Sequence, residues 1–452
     1  MFRKILIANR GEIAVRIIRA CREMEIYTVA VYSEGDRDSL HAYMADEAVC
    51  IGAANPQDSY LNMHSIINTA VLKQVEAIHP GFGFLSENPE FAKLCEDCNI
   101  TFIGPSSHCI SLLGDKSRAK ETMKAAGIPT IPGSDGLISD VDEGIAIANE
   151  IGYPVLIKAT AGGGGRGIKI VNNDAELKNA FIIAKNEASA FFGNGGLYIE
   201  KYLENTRHVE FQIFGDKFGN YVHLGERDCS LQRRNQKIME ESPSPALSPE
   251  LRERMGETAV KAAQAVGYYN TGTVEFLLDQ DKNFYFMEMN TRIQVEHPVT
   301  EMVTGIDLIK EQICVAAGRK LSFSQEDVNF RGFSIEARIC AEDPEKGFMP
   351  TTGKIEYLHI PNGMEIRFDS HIYQGYKIPI YYDSMLGKLI VLGSTRKDAL
   401  RKLRSALSEL VIEGVTTNID FLSNLLNEPE VVSGRYNTNF INKVLVRNSG
   451  IS

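Results

Sequence analysis

The run DKNFYFMEMNTRIQVEHPVTE, residues 281–301, constrains this chain more than any other stretch. Tyr285, Met287, Met289, Ile293 and Val295 alternate with Glu288, Asn290, Arg292, Gln294 and Glu296. Period-two alternation predicts an extended chain with one apolar face and one face of carboxylates, amides and a guanidinium. A half-exposed strand with a charged outer face would also alternate. The aromatic and apolar flanks argue instead for burial, and buried charges must be paired or hold an ion. The fold therefore has to supply partners for an ordered ionic row.

The chain has 452 residues, enough for two to four structural units. Its 44% hydrophobic and 24% charged content is that of an ordinary soluble globular protein. A net charge of −11 argues against binding nucleic acid or anionic membranes. No apolar run approaches the ~18 residues of a membrane span. The start MFRKILIANRGE returns to charge too soon for a secretory signal. Eight cysteines are scattered, and the close pair Cys95 and Cys98 has no second pair to complete a zinc site. The expectation is a reduced, cytoplasmic protein with Cys95 and Cys98 as incidental helix residues.

Strand-like KILIAN, YTVAVYS, VEAIHPG and ITFIGPS alternate with helix-like EIAVRIIRACREM and ENPEFAKLCEDCN. That predicts a doubly wound α/β unit around a parallel sheet. Its first turn is NRGEIA rather than GxGxxG, which disfavours a bound NAD. Further on, a helix over GDKSRAKETMKAAGIP precedes a strand ending at Lys158, a glycine loop and a return strand. LYIEKYLE and HVEFQIFGD read as strands, and YVHLGERDCSLQRRNQKIMEESPSP as a strand followed by an irregular basic segment. After the helix PELRERMGETAVKAAQAVG, strands TVEFLLD and NFYFMEMN pair through a turn at 280–283. From about Arg331, β-like FSIEARICAE, GKIEYLHI and KLIVLGS precede a helical RKDALRKLRSALSELVI.

Three features ask for one explanation. The glycines at 162–165 and 167 can bring backbone N–H groups to phosphate oxygens and can swing as a lid. They are not a P-loop, and taken alone they fit a plain flexible loop equally well. Lys116 and Lys158 precede the loop; Lys158, ending apolar PVLIK, is either a phosphate partner or a lysine emerging at a strand end. Glu275 lies one strand before Glu288 and Asn290, so pairing would converge three oxygen ligands that suit Mg²⁺ on nucleotide phosphates.

KILIANRGEIAVRIIRA, HPGFGFLSEN, KATAGGGGRG, EKYLE, HVEFQ, ERDCSLQRRNQK and EMNTRIQVEHPVTE together resemble, in order, the motifs of the biotin carboxylase family of ATP-grasp enzymes. The resemblance covers nearly the whole chain. It implies an ATP-grasp fold combining α/β and α+β parts: an N-terminal doubly wound α/β domain over 1–114, an ATP-grasp domain over 115–330 and a C-terminal α+β domain over 331–447. A mobile glycine-loop lid subdomain spans about 131–203.

By the same resemblance, Lys116, Lys158, Gly164 and Gly165 meet the phosphates of ATP. Glu200, Lys201, Tyr202 and Leu203 lie by the adenine, with His208 near the ribose and Asn235 in nucleotide contact. Glu275, Glu288 and Asn290 hold Mg²⁺ or Mn²⁺. Arg292, Lys237 and the Val295 backbone take bicarbonate, Glu296 is its base, and Arg338 stabilises the enolate-like form of biotin. Asn235 stands where the family commonly has His, and Phe82 where Tyr is usual.

The implied reaction converts ATP and bicarbonate to carboxyphosphate and ADP, and the carboxyl then passes as CO₂ to N1′ of biotin. Rivals are another ATP-grasp ligase, the front part of a larger carboxylase, and a regulatory module without chemistry. The last is disfavoured because Lys116, Lys158, Glu275, Glu288, Asn290, Arg292, Glu296 and Arg338 are all present. No Met-Lys-Met biotinylation motif is seen, so biotin is expected on a separate biotin carboxyl carrier protein. Carboxyltransferase subunits, malonyl-CoA formation from acetyl-CoA and a homodimer are implied, with no nucleic-acid or membrane partner.

Overall fold

The first hundred residues fold as their alternation predicts. In the computed structural model, which describes residues 1–159, 168–192 and 195–449, five parallel strands form one sheet. Their order is Glu47–Cys50, Tyr27–Tyr32, Lys4–Ile7, Ala77–His79 and Thr101–Phe102. Helix Gly11–Glu23 packs Ile13, Ile17 and Ile18 on Ile5 and Ile7. Helix Pro89–Asp97 starts where the Asn88 side chain accepts from the Phe91 N–H at 2.8 Å. Cys95 is buried on it and Cys98 follows its last turn, both as free thiols.

The rest is organised by an eight-stranded antiparallel sheet. It runs Phe284–Asn290, Asn270–Leu278, Arg207–Gly215, Tyr221–Arg233, Gln236–Ser242, Phe333–Cys340, Met385–Gly393 and Ile366–Ser370. Gln236–Ser242 pairs directly with Phe333–Cys340, so one hydrogen-bonded surface carries side chains from both halves of the chain. One face packs Phe211, Val274 and Phe276 against helix Pro249–Ala265 through Met255, Ala259 and Ala262. At the other end Ile335, Ala337 and Leu389 pack on helix Arg396–Glu409 through Ala399, Leu400 and Leu403. A third, three-stranded antiparallel sheet joins Ile168–Val171, Val155–Ala159 and Leu197–Lys201. Among the described residues no helix is long and apolar enough to cross a membrane.

Two expectations change. The basic stretch ERDCSLQRRNQK is not irregular: Tyr221–Arg233 and Gln236–Ser242 form a hairpin around Arg234 (φ 51°) and Asn235 (φ 64°). Positive φ at both central residues is the primed turn that matches strand twist, here without the glycine that usually signals it. The 281–301 run is extended only as far as Asn290, turns, and enters helix His297–Thr304. Its apolar face also differs from the expected one. Glu275 faces Glu288 while Phe276 faces Phe286, leaving Met287 as a bulge. The extra residue resets the phase, so Phe284, Phe286 and Met289 are buried and Tyr285 and Met287 only partly so.

Candidate active site

Four neighbouring strands aim ionic side chains at one point. Period two puts His208, Glu210 and Gln212 on one face of Arg207–Gly215, beside Arg227, Lys237 and Glu275. Lys237 Nζ lies 2.5 Å from Glu210 Oε2, 2.6 Å from Glu296 Oε1 and 3.2 Å from Glu275 Oε1. Burial alone would lower the ammonium's pKa, but these three carboxylates outweigh it and hold it well above its ordinary value. Arg227 is fully buried, with Nε on Glu210 (2.7 Å) and its other donors on Gln212, Thr300 and Thr273.

Glu296, fully buried, reaches this point from the turn after Asn290. Its second oxygen accepts from Arg338 Nη2 at 2.9 Å, while Arg338 Nε donates to Glu240 Oε1 at 2.6 Å. Burial would raise Glu296, yet Lys237, Arg338 and Arg227 hold it well below the carboxylate range. The cations that hold its charge are Lys237 and Arg338 rather than Arg292.

Arg292 instead binds Glu87 Oε2 (2.8 Å), Gln294 Oε1 (2.9 Å), the Ile293 carbonyl (3.2 Å) and Asn290 Oδ1 (3.2 Å). The Val295 carbonyl accepts from Lys388 Nζ at 2.7 Å, so the segment carrying Arg292, Val295 and Glu296 is pinned from both sides.

At the other end of the row, Glu275 and Glu288 are cross-strand partners. Glu275 accepts from Asn290 Nδ2 (2.8 Å) and Gln294 Nε2 (3.0 Å), and its second oxygen lies 2.9 Å from His208 Nε2. His208 thus faces a carboxylate in this structure. Burial would raise Glu275, but Lys237 and His208 hold it far below its ordinary value. Glu288 Oε2 is 3.1 Å from Lys116 Nζ. Lys116, Glu288 and Asn290 line a cleft of about 220 Å³ with Glu87 and Thr291. Glu288 and the Asn290 amide open on this cleft beside Lys116, with Glu275 buried next to them on the adjacent strand. Such oxygen donors suit a hard divalent cation at a phosphate.

A second cluster lies on the small sheet. Glu200 is buried, with Oε1 3.0 Å from Lys120 Nζ and Oε2 on Lys158. Burial would raise its pKa, and the two lysines lower it. Lys201, one residue on, faces the other way and donates to the Gly152 (2.9 Å) and Tyr153 (3.0 Å) carbonyls. The Tyr202 N–H bonds the Pro154 carbonyl at 3.1 Å, and Leu203 is half-buried. Asn235 is exposed at its hairpin tip. Gly164 and Gly165 lie outside the described residues.

Glu87, Glu210, Arg227, Glu240 and Lys388 were not singled out from the sequence. HVEFQ carried a signal for Glu210, since its polar residues alternate like those of 281–301. Glu87 and Lys388 meet the site across 205 and 93 residues of chain, with no local pattern to mark them.

Three family models match in succession: "Biotin carboxylase, N-terminal domain" over 1–110, "Carbamoyl-phosphate synthase L chain, ATP binding domain" over 115–324, and "Biotin carboxylase C-terminal domain" over 336–443. The chain is 60% identical to biotin carboxylase 1 of Bacillus subtilis (strain 168), over 98% of each. The biotin carboxylase domain dimer of Hydrogenobacter thermophilus 2-oxoglutarate carboxylase, solved with MgADP, ADP and bicarbonate, is 54% identical with a TM-score of 0.93, covering 99% of this chain and 98% of that one. A β,γ-ATP complex of biotin carboxylase from Campylobacter jejuni is 50% identical with a TM-score of 0.94, covering 98% and 99%. By sequence, fold and the residues gathered at its centre, the chain belongs to the biotin carboxylase family, ATP-dependent ligases built on the ATP-grasp fold.

Proposed function

We propose that this protein carboxylates the biotin of a separate biotin carboxyl carrier protein, consuming ATP and bicarbonate, as the first half-reaction of an acetyl-CoA carboxylase that makes malonyl-CoA. The observation that carries the reading is Glu296, an ionised carboxylate held between Lys237 at 2.6 Å and Arg338 at 2.9 Å. Lys237, Arg292 and the Val295 backbone receive bicarbonate, Glu296 takes its proton, and the resulting oxyanion attacks the γ-phosphate. ADP leaves and carboxyphosphate is formed. This parts into phosphate and CO₂, the phosphate takes the N1′ proton, and Arg338 faces the biotin enolate oxygen as CO₂ bonds N1′. Glu275, Glu288 and Asn290 would hold Mg²⁺, which when bound neutralises phosphate charge.

Lys116 and Lys158, with Gly164 and Gly165, meet the phosphates, and the 200–203 segment, His208 and Asn235 serve the nucleoside end. A cytoplasmic homodimer with domain boundaries near 114 and 330 completes the proposal; the domain dimer solved for the relative supports its dimeric part alone. The acetyl-CoA acceptor is the finer part of the reading, since a relative 55% identical is a 2-oxoglutarate carboxylase small subunit. The test is ADP release with and without bicarbonate and free biotin. Release that needs bicarbonate and rises with biotin supports the reading, and release indifferent to both overturns it.

A further inference from the structure

Two buried glutamates with no role so far face each other beside Arg338. Glu240 and Glu336 are register partners on the antiparallel strands Gln236–Ser242 and Phe333–Cys340, 1% and 0% exposed. Side chains directly opposite on paired strands are in contact range. Arg338 Nε engages one Glu240 oxygen at 2.6 Å. Among the described residues no hydrogen-bond donor reaches Glu240 Oε2 or either oxygen of Glu336. Ionised oxygens buried without donors are costly, and adjacent carboxylates do not both ionise readily.

We propose that Glu240 and Glu336 form an acid pair sharing one proton, and that this proton limits the negative charge around Arg338 so that its guanidinium can act on the biotin oxygen. The second half rests on the assignment of Arg338 to biotin. Among the described residues the nearby cations are already engaged by other groups. Lys388, on the next strand, has its ammonium 2.9 Å from Glu12 and on the Val295 carbonyl at 2.7 Å. Lys237, on the strand of Glu240, is held by three other carboxylates. From helix His297–Thr304, His297 is kept neutral by burial, and Glu301 is paired with Arg16 and Arg367. Asp369 is also held by Arg367, and Glu296 adds negative charge. Burial is the largest influence on both acids. It lifts Glu240 to about 7 against the pull of Arg338, and Glu336 well above the carboxylate range against Lys388.

When the pair loses its proton, a second negative charge arrives beside Arg338 and competes with the biotin oxygen. Carboxylation by the wild type should therefore decline on the alkaline side. Glu336→Gln cannot ionise and copies the shape of the protonated acid. The ratio of variant to wild-type kcat/KM for biotin should climb by roughly tenfold as pH rises through the titration of the pair, the scale of one extra charge at partly screened short range. A purely structural role would lower the ratio equally at every pH, and that result overturns the link to Arg338.

The pair itself is read without turnover. The infrared difference between wild type and Glu336→Gln at neutral pH should contain the carbonyl band of a protonated carboxyl, and Glu240→Gln should change the same band. Its absence from both differences overturns the shared proton. Thermal stability adds a readout that needs no biotin. Above the ordinary glutamate pKa of ~4.3 only the native state keeps the proton, so native stability falls as pH rises toward the folded pKa. The melting temperature of Glu336→Gln should then gain on wild type with rising pH, and a constant offset counts against the pair. Failure of the biotin assignment would show separately, as Arg338→Ala losing ATP cleavage and carboxylation equally.

Discussion

The molecule holds two clusters of lysine and glutamate with opposite charge ratios. On the large sheet one ammonium, Lys237, serves Glu210, Glu275 and Glu296. On the small sheet one carboxylate, Glu200, serves Lys120 and Lys158. The acid-rich cluster is buried among strands tied on both edges, and in the proposed reaction it would supply the cation site and the base. The lysine-rich cluster is more open, with Lys120 and Lys158 side chains 24% and 21% exposed, and its surplus positive charge suits an arriving polyanion. Charge surplus and exposure together mark which chemistry each sheet can host. Removing one member should be severe in the first cluster and mild in the second.

The largest effect is expected at Lys237. Lys237→Met leaves three carboxylates facing one another without their shared cation, and breaking a buried ionic group typically costs ~3–5 kcal/mol. Denaturant unfolding should show that loss alongside absent turnover; a loss below about 1 kcal/mol, the scale of a surface pair, would erase the contrast between the clusters. Next comes Glu296→Ala. Bicarbonate-dependent ADP release and biotin carboxylation should fall together by about 10²–10⁴, the range for a general base. Retained ADP release would remove Glu296 from that role.

Arg338→Ala should lower carboxylation by about 10²–10³, as for other oxyanion donors. Because Arg338 also touches Glu296 at 2.9 Å, ATP cleavage should drop too, but by less than about tenfold, since Lys237 still holds the base. Phosphate release and carboxybiotin formation measured in parallel decide the point.

The smallest effect belongs to Glu200→Gln, with a stability loss of about 1 kcal/mol or less at neutral pH. The Glu200 pKa is lowered in the native state, so its contribution is present above the ordinary glutamate pKa of ~4.3 and is lost as pH falls below it. Melting curves of variant and wild type should converge on acidification. A gap that widens instead would mean that Glu200 is not stabilised by its lysines.

Local pattern was enough for much of this. The parallel order of the N-terminal unit follows from buried apolar runs alternating with amphipathic helices, and the 270–290 hairpin from two apolar runs around Asp279 and Lys282. The charged residues of 288–296 were legible as a group from their alternation with apolar ones, although the strand that carries them ends at Asn290. The same alternation at 208–212 was there to be read. The Arg234–Asn235 turn and the Met287 bulge were not, because positive φ without glycine and a one-residue phase slip leave no compositional trace. Nor could any local pattern say which partner each charge would take. Arg292 goes to Glu87, Glu296 to Lys237 and Arg338, and Val295 to Lys388, through strand register and packing set by distant parts of the chain. The local pattern is enough to say that a row of charged groups has to be housed and which atoms it offers. How those ions pair is set by the fold, because the cost of a buried charge is met by whichever opposite charge long-range packing brings within hydrogen-bond reach.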